Sequence, residues 1–509
     1  VAAEHQRLAV AQAPVWGLGR VAALEHPELW GGLVDLDPHA SPDEAAWLLA
    51  EIESAGDEDQ IAYRQGHRYV ARLAHSSAAA PAAAPVRLHA DGAYLITGGL
   101  GGIGLKVAHW MAEQGARHIV LLGRGGLPAR STWTALPRDH AAFERVVAVR
   151  ALEERGVTVV IAQADVADLV QMGAVMEQFG RTQPRLRGIV HAAGVAELQS
   201  MRAIDSDALR RVLRPKVTGS WVLHQLTEGL DLDFFVLFSS AAAVWGSRAM
   251  AHYAGANHFL DACAHYRRVL GLPALSINWG RWPRGGKMSS ADEERLFSQI
   301  GLEVMSTDQA LEAMAYLLGT ETVQQTVAAV DWRVFVPIYE AKRRRPFLER
   351  LALNRDQTAE RPQRAVPEFV ARLAEAPPNR RRSLLATHVH QAVSSVLGLP
   401  PAHRLEPRQG FFQIGMDSLT AVELKNRLQK TLGQQLPSTL AFDYPNVVDL
   451  VDYLAREMLP VTPAMDPLAV EHAEDERHAV PAELEHLSED ELVALLAGEL
   501  ATIDEKKQR

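Results

Sequence analysis

The sequence predicts an α/β protein built on a doubly wound parallel sheet, followed by a small all-α domain. Three observations carry this. From residue 92 onward, six strand-length runs, apolar on both faces, alternate with helical patterns, as parallel strands covered by helices on each side do. A glycine-rich string, TGGLGGIG at 97–104, follows the first run and opens a helical pattern. Beyond a boundary rich in Pro and Arg, a compact helical segment occupies 383–459.

In chain order, residues 1–90 hold VWGLGR and WGGLVDLDP, which read as pieces of an α/β unit without a strand–glycine-loop–helix signature. The abrupt start at Val1 is expected of a fragment cut from a longer chain. SSAAAPAAAPV at 76–86 reads as a linker or surface loop. The region 91–345 then carries the strand runs 93–97, 118–123, 157–162, 188–192, 234–239 and 274–278. Residues 346–382 read as linker; Arg343–Arg345 before it and Arg380–Arg382 at its end read as solvated charge. The helical domain follows at 383–460, then a polar linker at 461–481 and a helix-like end at 482–509.

Composition narrows the function. The 509 residues suit about three domains. Hydrophobic residues at 48% and charged residues at 22% are ordinary for a globular chain, which excludes wholesale disorder. Cys263 is the single cysteine, which excludes internal disulfides and multi-cysteine metal sites. Its setting, FLDACAHYR, predicts a small buried helix residue. No apolar run approaches the length of a membrane span, and no signal segment opens the chain. A reduced, cytoplasmic protein is therefore the default expectation. The net charge of −10 sits almost wholly in residues 466–509, where thirteen acidic residues face four basic ones. The rest is close to neutral, so bulk charge gives no support for nucleic-acid binding.

The glycine string Thr97, Gly98, Gly99, Leu100, Gly101, Gly102, Ile103 and Gly104 suits a dinucleotide pyrophosphate. Glycine permits close backbone approach, and the following helix aims its free N–H groups and positive dipole end at the phosphates. The lysine of a nucleoside-triphosphate loop does not follow. The second strand ends in Gly123–Arg124. An acid there would hold a ribose 2′-hydroxyl, whereas Arg124 suits a 2′-phosphate and hence NADP. Asp165 and Val166 close the third strand, where an adenine contact is expected. His191, Ala192, Ala193 and Gly194 close the fourth, beneath the cofactor.

The fifth strand runs into Ser239–Ser240; Tyr253 lies thirteen residues beyond Ser240, and Asn257 four beyond that, on one helix face. A serine at a strand end can donate to a substrate carbonyl. A tyrosine can protonate the developing alkoxide if its pKa is lowered, which a nearby lysine ammonium would do.

TGGLGGIG, HAAGV, FVLFSSAAAVWG, the Tyr253–Asn257 spacing and LSINWGRW together resemble the ketoreductase domain of a modular polyketide synthase, a Rossmann-like member of the short-chain dehydrogenase/reductase superfamily. The resemblance covers residues 1 to about 345, the first 75 resembling its inactive structural half, truncated. In that family asparagine stands four residues after the tyrosine and the lysine lies far upstream, as Asn257 and Lys216 do. The resemblance implies Tyr253 as general acid, Ser240 as carbonyl positioner, Lys216 orienting cofactor and tyrosine, and Asn257 supporting the proton network. It implies hydride transfer from NADPH to a carrier-bound β-ketoacyl thioester. Trp245, eight residues before Tyr253, marks the A-type, L-hydroxy members. The LDD motif of the other type is missing from VAELQSM, and Met250 stands where epimerising members often carry histidine. A non-epimerising A-type enzyme is expected; the alternative for Trp245 is simple packing of the lid.

GMDSL at 415–419, with FFQIG before it and LPSTLAFDYPNVVDLVDYL after, resembles a polyketide acyl carrier protein, a four-helix bundle. The resemblance implies 4′-phosphopantetheine on Ser418, attached by a phosphopantetheinyl transferase. Residues 482–503 show an apolar helical stripe that needs a partner. They resemble the docking helices that join a synthase polypeptide to the next one downstream. The other domains of the same module are further expected partners, and the parent synthase is expected to be a homodimer. Two other readings stand beside the reductase: a carrier and docking module with a silent reductase, and a free-standing alcohol dehydrogenase.

Overall fold

The computed structural model describes residues 8–458, apart from 40, 55, 77–85, 284–296, 299, 341–342, 353–367, 400–404, 417, 435 and 438–439. The acidic end, with the expected docking helix at 482–503, lies outside the described residues.

The expected doubly wound sheet is present. A first helix, α1 (Ala13–Glu25), precedes a small sheet of β1 (Leu33–Asp35), β2 (Gln60–Arg64) and β3 (His67–Val70). The main strands follow: β4 (Ala93–Thr97), β5 (His118–Gly123), β6 (Thr158–Gln163), β7 (Leu186–His191), β8 (Phe234–Ser240) and β9 (Leu275–Trp279). After β10 (Leu302–Glu303), which pairs with β12 (Ala329–Val330), the strand β11 (Gln324–Val327) completes the main sheet. Its order is β11-β9-β8-β7-β4-β5-β6, and every pairing is parallel.

Side-chain alternation divides the core between the two faces of the sheet. Tyr94, Ile96, Ile119, Leu121, Val236 and Phe238 pack on one face with Val107 and Met111. Leu95, Val120, Leu122, Ile189, Phe235 and Leu237 pack on the other with Leu223, Leu260 and Cys263. Cys263 is buried as expected, and burial pushes its thiol up to about 11.

Three helices position the site: α2 (Gly102–Glu113), α3 (Ser206–Thr227) and α4 (Ala251–Val269). α1 packs tightly on α4. A Cβ on Gly17 would lie 2.3 Å from the Ala254 carbonyl oxygen, and one on Gly255 would lie 2.9 Å from that of Pro14. Glycine at both positions lets the two backbones touch. The first helix therefore belongs physically to the catalytic half as much as to the segment 1–90.

The helical domain begins earlier than expected. α5 (Glu368–Glu375) and α6 (Pro378–Val396) both fall wholly or partly within the expected linker. The Phe369 ring stacks on His388 at 3.9 Å, and Leu373 is buried. Arg381 donates to the carbonyls of Ala374 and Ala376, capping the C-terminus of α5. So the Arg380–Arg382 run, expected as solvated linker, lies in the first turns of α6. In α7 (Ser418–Leu432) the stripe Leu424, Leu428 and Leu432 is buried against the bundle core.

Candidate active site

The sheet order sets the location of the site. From β4 the chain winds outward through β5 and β6, then returns to place β7 on the other side of β4. Ligands of open α/β sheets bind at such a switch point, at the strand carboxyl ends. The glycine loop leaves β4 and the HAAG turn leaves β7, so both lie there. Thr97 and His191 join the two strand ends through a 2.6 Å Oγ1–Nδ1 hydrogen bond. Burial and the nearby Lys216 charge push the His191 pKa down to about 3. Its imidazole is therefore neutral near pH 7.

The glycine loop fits a dinucleotide. Gly98 has φ +66°, and a Cβ there would lie 2.9 Å from the Ala193 backbone; one on Gly104 would lie 2.4 Å from the Gly98 carbonyl oxygen. The loop is thus pressed flat against the sheet end. α2 starts from Gly101 with no side-chain cap, which leaves its first N–H groups available to phosphate oxygens. Leu100 is buried behind the loop, and Ile103 packs against the same core. Arg124 is exposed beside the loop, with no ion pair among the described residues. Asp165 is already engaged: it pairs with Arg214 at 3.2 Å and accepts from the Ala167 N–H. Val166 is buried against α3, where Gly219 makes room for it.

Ser240, Tyr253, Asn257 and Lys216 come together beside this loop. The Ser240 Oγ accepts from the Ala242 N–H at 3.2 Å. Asn257 is fully buried and donates to the Tyr253 carbonyl at 2.8 Å, while its Oδ1 has no hydrogen-bond partner. An orphaned buried acceptor of this kind suits a bound water in a proton path. Lys216 donates to the Phe238 carbonyl at 2.8 Å, and its Nζ lies 5.8 Å from the Tyr253 ring centre. A Cβ on Gly194 would touch the lysine stem, so the HAAG turn and Lys216 are packed together.

The electrostatics differ from the simplest expectation. Burial raises the Tyr253 pKa, and the neighbouring Ser240 and Asn257 side chains oppose that rise; Lys216 is not among the groups that lower it. Burial instead depresses Lys216 itself to about 8, with Asp261 partly opposing.

A buried network beneath the site was not legible beforehand. Asp261 accepts from Ser276 at 2.6 Å and from Asn278 at 2.8 Å. Asn278 also donates to Ser239, which donates to the Asn257 carbonyl. This ties β8, β9 and α4 together directly behind Ser240, Tyr253 and Asn257. Trp245 is only 4% exposed and meets Trp332 and Phe335 edge-on at 5.8 and 5.6 Å. Among the described residues its indole is part of an aromatic core, and the loop that follows it leads on to Tyr253. Ser418 opens α7, as the carrier resemblance requires.

Comparison with known proteins agrees with this geometry. Residues 92–284 match the KR domain family, residues 387–454 the phosphopantetheine attachment site, and residues 1–73 the Rossmann fold domain of the polyketide synthase extender module SpnB. Polyketide synthase GfsA of Streptomyces halstedii is 38% identical over 88% of this chain and 6% of its own length. The pikromycin polyketide synthase component PikAIII of Streptomyces venezuelae is 37% identical over 89% of this chain and 29% of its own. The chain therefore spans less than a third of the length of either relative. A solved structure of A-type ketoreductases from a modular polyketide synthase superposes with a TM-score of 0.61 at 37% identity, covering 68% of this chain and 70% of that one. An A1-type ketoreductase gives the same TM-score and identity over 68% and 69%. NADPH and 4′-phosphopantetheine are the groups that these two kinds of domain use. The chain belongs to the modular polyketide synthases, as a ketoreductase domain followed by a phosphopantetheine carrier.

Proposed function

We propose that this chain reduces a β-ketoacyl thioester, tethered through 4′-phosphopantetheine on Ser418, to the β-hydroxyacyl thioester. One observation carries the reading. Ser240, Tyr253, Asn257 and Lys216 converge at the carboxyl ends of β7 and β8, beside a glycine loop shaped for a dinucleotide. NADPH, when bound, supplies the hydride. Gly98 to Gly104 and the start of α2 would hold its pyrophosphate, and Arg124 its 2′-phosphate.

Ser240 is placed to donate to the substrate carbonyl and fix its orientation. Tyr253 stays protonated at neutral pH, because burial holds its pKa above the ordinary value. It can therefore give its proton to the oxygen as negative charge builds there. Asn257 offers its free Oδ1 to the water that would refill the tyrosine. Lys216, held by the Phe238 carbonyl, keeps a positive charge behind the ring below about pH 8.

The product is read as the A-type, L-hydroxy, non-epimerised alcohol. Trp245, Met250, VAELQSM and the likeness to A-type and A1-type structures support this. Further proposed partners are the other domains of its module, a phosphopantetheinyl transferase, and a downstream polypeptide at the acidic end; the parent synthase is read as a homodimer acting in the cytoplasm. NADPH oxidation with a β-keto thioester on the carrier, followed by chiral analysis, tests the reading. Expected is stoichiometric oxidation and one L-hydroxy product. No turnover on the thioester would overturn it, and turnover of small free ketones alone would favour a free-standing dehydrogenase.

A further inference from the structure

We propose that Glu25 is a positioning residue of the reductase: one carboxylate at the end of α1 staples together the two loops that flank the cleft. Glu25 lies more than two hundred residues before the catalytic tyrosine. Its Oε1 accepts from the Ala249 N–H at 2.7 Å, and its Oε2 from the Met201 N–H at 2.8 Å. Ala249 belongs to the loop 246–250 that leads directly into Tyr253. Met201 directly follows the loop 192–200, which begins with Ala192 of the HAAG turn. The loops also bond to each other, the Gln199 N–H donating to the Ala249 carbonyl at 2.7 Å.

The staple holds a backbone that is unfavourable alone. Ala249 has φ +59°, a left-handed conformation that a residue with a Cβ adopts at a cost. Two bonds fix it there, one to its N–H from Glu25 and one to its carbonyl from Gln199. Gly246, at the start of the loop, has φ +81°, and a Cβ there would meet the Arg20 carbonyl of α1 at 2.9 Å. Behind the carboxylate, Val21 of α1 packs with Ala251 and Ala254 of α4, joined by Leu18, Met201 and Ile204. α1 thus presents an apolar face to both loops and finishes it with an acid that satisfies one N–H from each.

The geometry links this to stereochemical outcome, and here the inference rests on the reductase reading above. The loop 246–250 separates Trp245 from Tyr253, and the loop 192–200 carries the VAELQS sequence. A substrate carbonyl at Ser240 and Tyr253 must present one face or the other between these loops. With Trp245 packed in its aromatic core, the walls are assigned, among the described residues, to these two loops. Fixing their separation fixes which face is presented.

The test uses the whole chain, with the carrier loaded as the β-keto thioester, and compares wild type with Glu25→Ala and Glu25→Gln. Glutamine keeps one acceptor but turns its amide N–H₂ toward the other loop's N–H, so it restores one bond of the two. Measured are kcat and KM for the thioester, the ratio of the two alcohol configurations, the thermal midpoint, and hydrogen exchange at Ala249 and Met201. Expected for Glu25→Ala are KM and the minor-alcohol fraction each raised about tenfold, the scale of one lost charge-assisted hydrogen bond, with kcat nearly held. Glu25→Gln is expected to fall between, and exchange is expected to quicken in both loops together. A merely structural role would lower the thermal midpoint while leaving the alcohol ratio and KM at wild-type values; that result overturns the proposal. If Glu25→Ala does not fold, Glu25→Gln decides the question through the same alcohol ratio. A wild type that oxidises no NADPH would instead refute the reductase reading, and the exchange measurement would still report on the staple.

Discussion

Replacing Gly17 by alanine sets two physical effects against each other. In an isolated helix the change is favourable, by about 1 kcal/mol from propensity. Here the new methyl carbon would sit 2.3 Å from the Ala254 carbonyl oxygen and 2.6 Å from the Gly255 nitrogen. Those are backbone atoms of α4 and cannot rotate away. Restoring ordinary contact requires α1 and α4 to part by roughly 1 Å, and overpacking of this kind costs about 1–3 kcal/mol, at the upper end where backbone must move. The net expectation is a loss of about 2 kcal/mol, which in a reductase of this size lowers the melting temperature by roughly 2–4 °C. Tyr253 directly precedes Ala254, so the same shift displaces the proposed proton donor, and a 1 Å misplacement lowers kcat by up to about a hundredfold. Differential scanning calorimetry and NADPH oxidation measure both. A variant that melts at or above wild type, with kcat unchanged, would mean that propensity wins and that the helix contact is not tight.

Three other expectations are open to direct measurement. The alkaline limb of kcat/KM should have its midpoint near 8, the Lys216 value, since Tyr253 remains protonated beyond it; Lys216→Arg should move that limb upward, and a profile flat through this range would refute the assignment. His191 should contribute an acid instability. Between pH 6.5 and about 3 the unfolded chain binds a proton that the folded one refuses, so stability falls on acidification through that window by up to roughly 5 kcal/mol, and His191→Asn should flatten the fall in acid unfolding curves. Arg124→Glu should raise KM for NADPH about ten- to hundredfold, the scale of one charge-assisted pair, while leaving KM for NADH near wild type; equal effects on both would place Arg124 away from the 2′-phosphate.

The central strands were legible because each is apolar on both faces, and 93–97 and 118–123 coincide with β4 and β5 to the residue. β11 was not, because Gln324–Val327 lies at the sheet edge and alternates no better than a surface loop. Tyr253, Ser240 and the glycine loop stand in local motifs, so their neighbourhood in space followed from strand order. Lys216 was identifiable only through family resemblance, since nothing local separates it from a solvated lysine. Asp261, Asn278 and Glu25 were silent. Their partners lie on other elements, and a buried polar side chain in a mainly apolar stretch such as LSINW leaves no periodic trace. α5 was hidden because Pro and Arg around it resemble linker composition, although Arg381 is spent on capping.

Assigning α5 to the carrier bundle shortens the stretch of sequence that joins the two domains. The expected linker, 346–382, is thirty-seven residues long. With α5 packed in the carrier bundle, the chain between Ala352 and Glu368 is the segment 353–367. Fifteen residues rather than thirty-seven then separate the reductase from its carrier, and a change of length there would alter that spacing without touching either core.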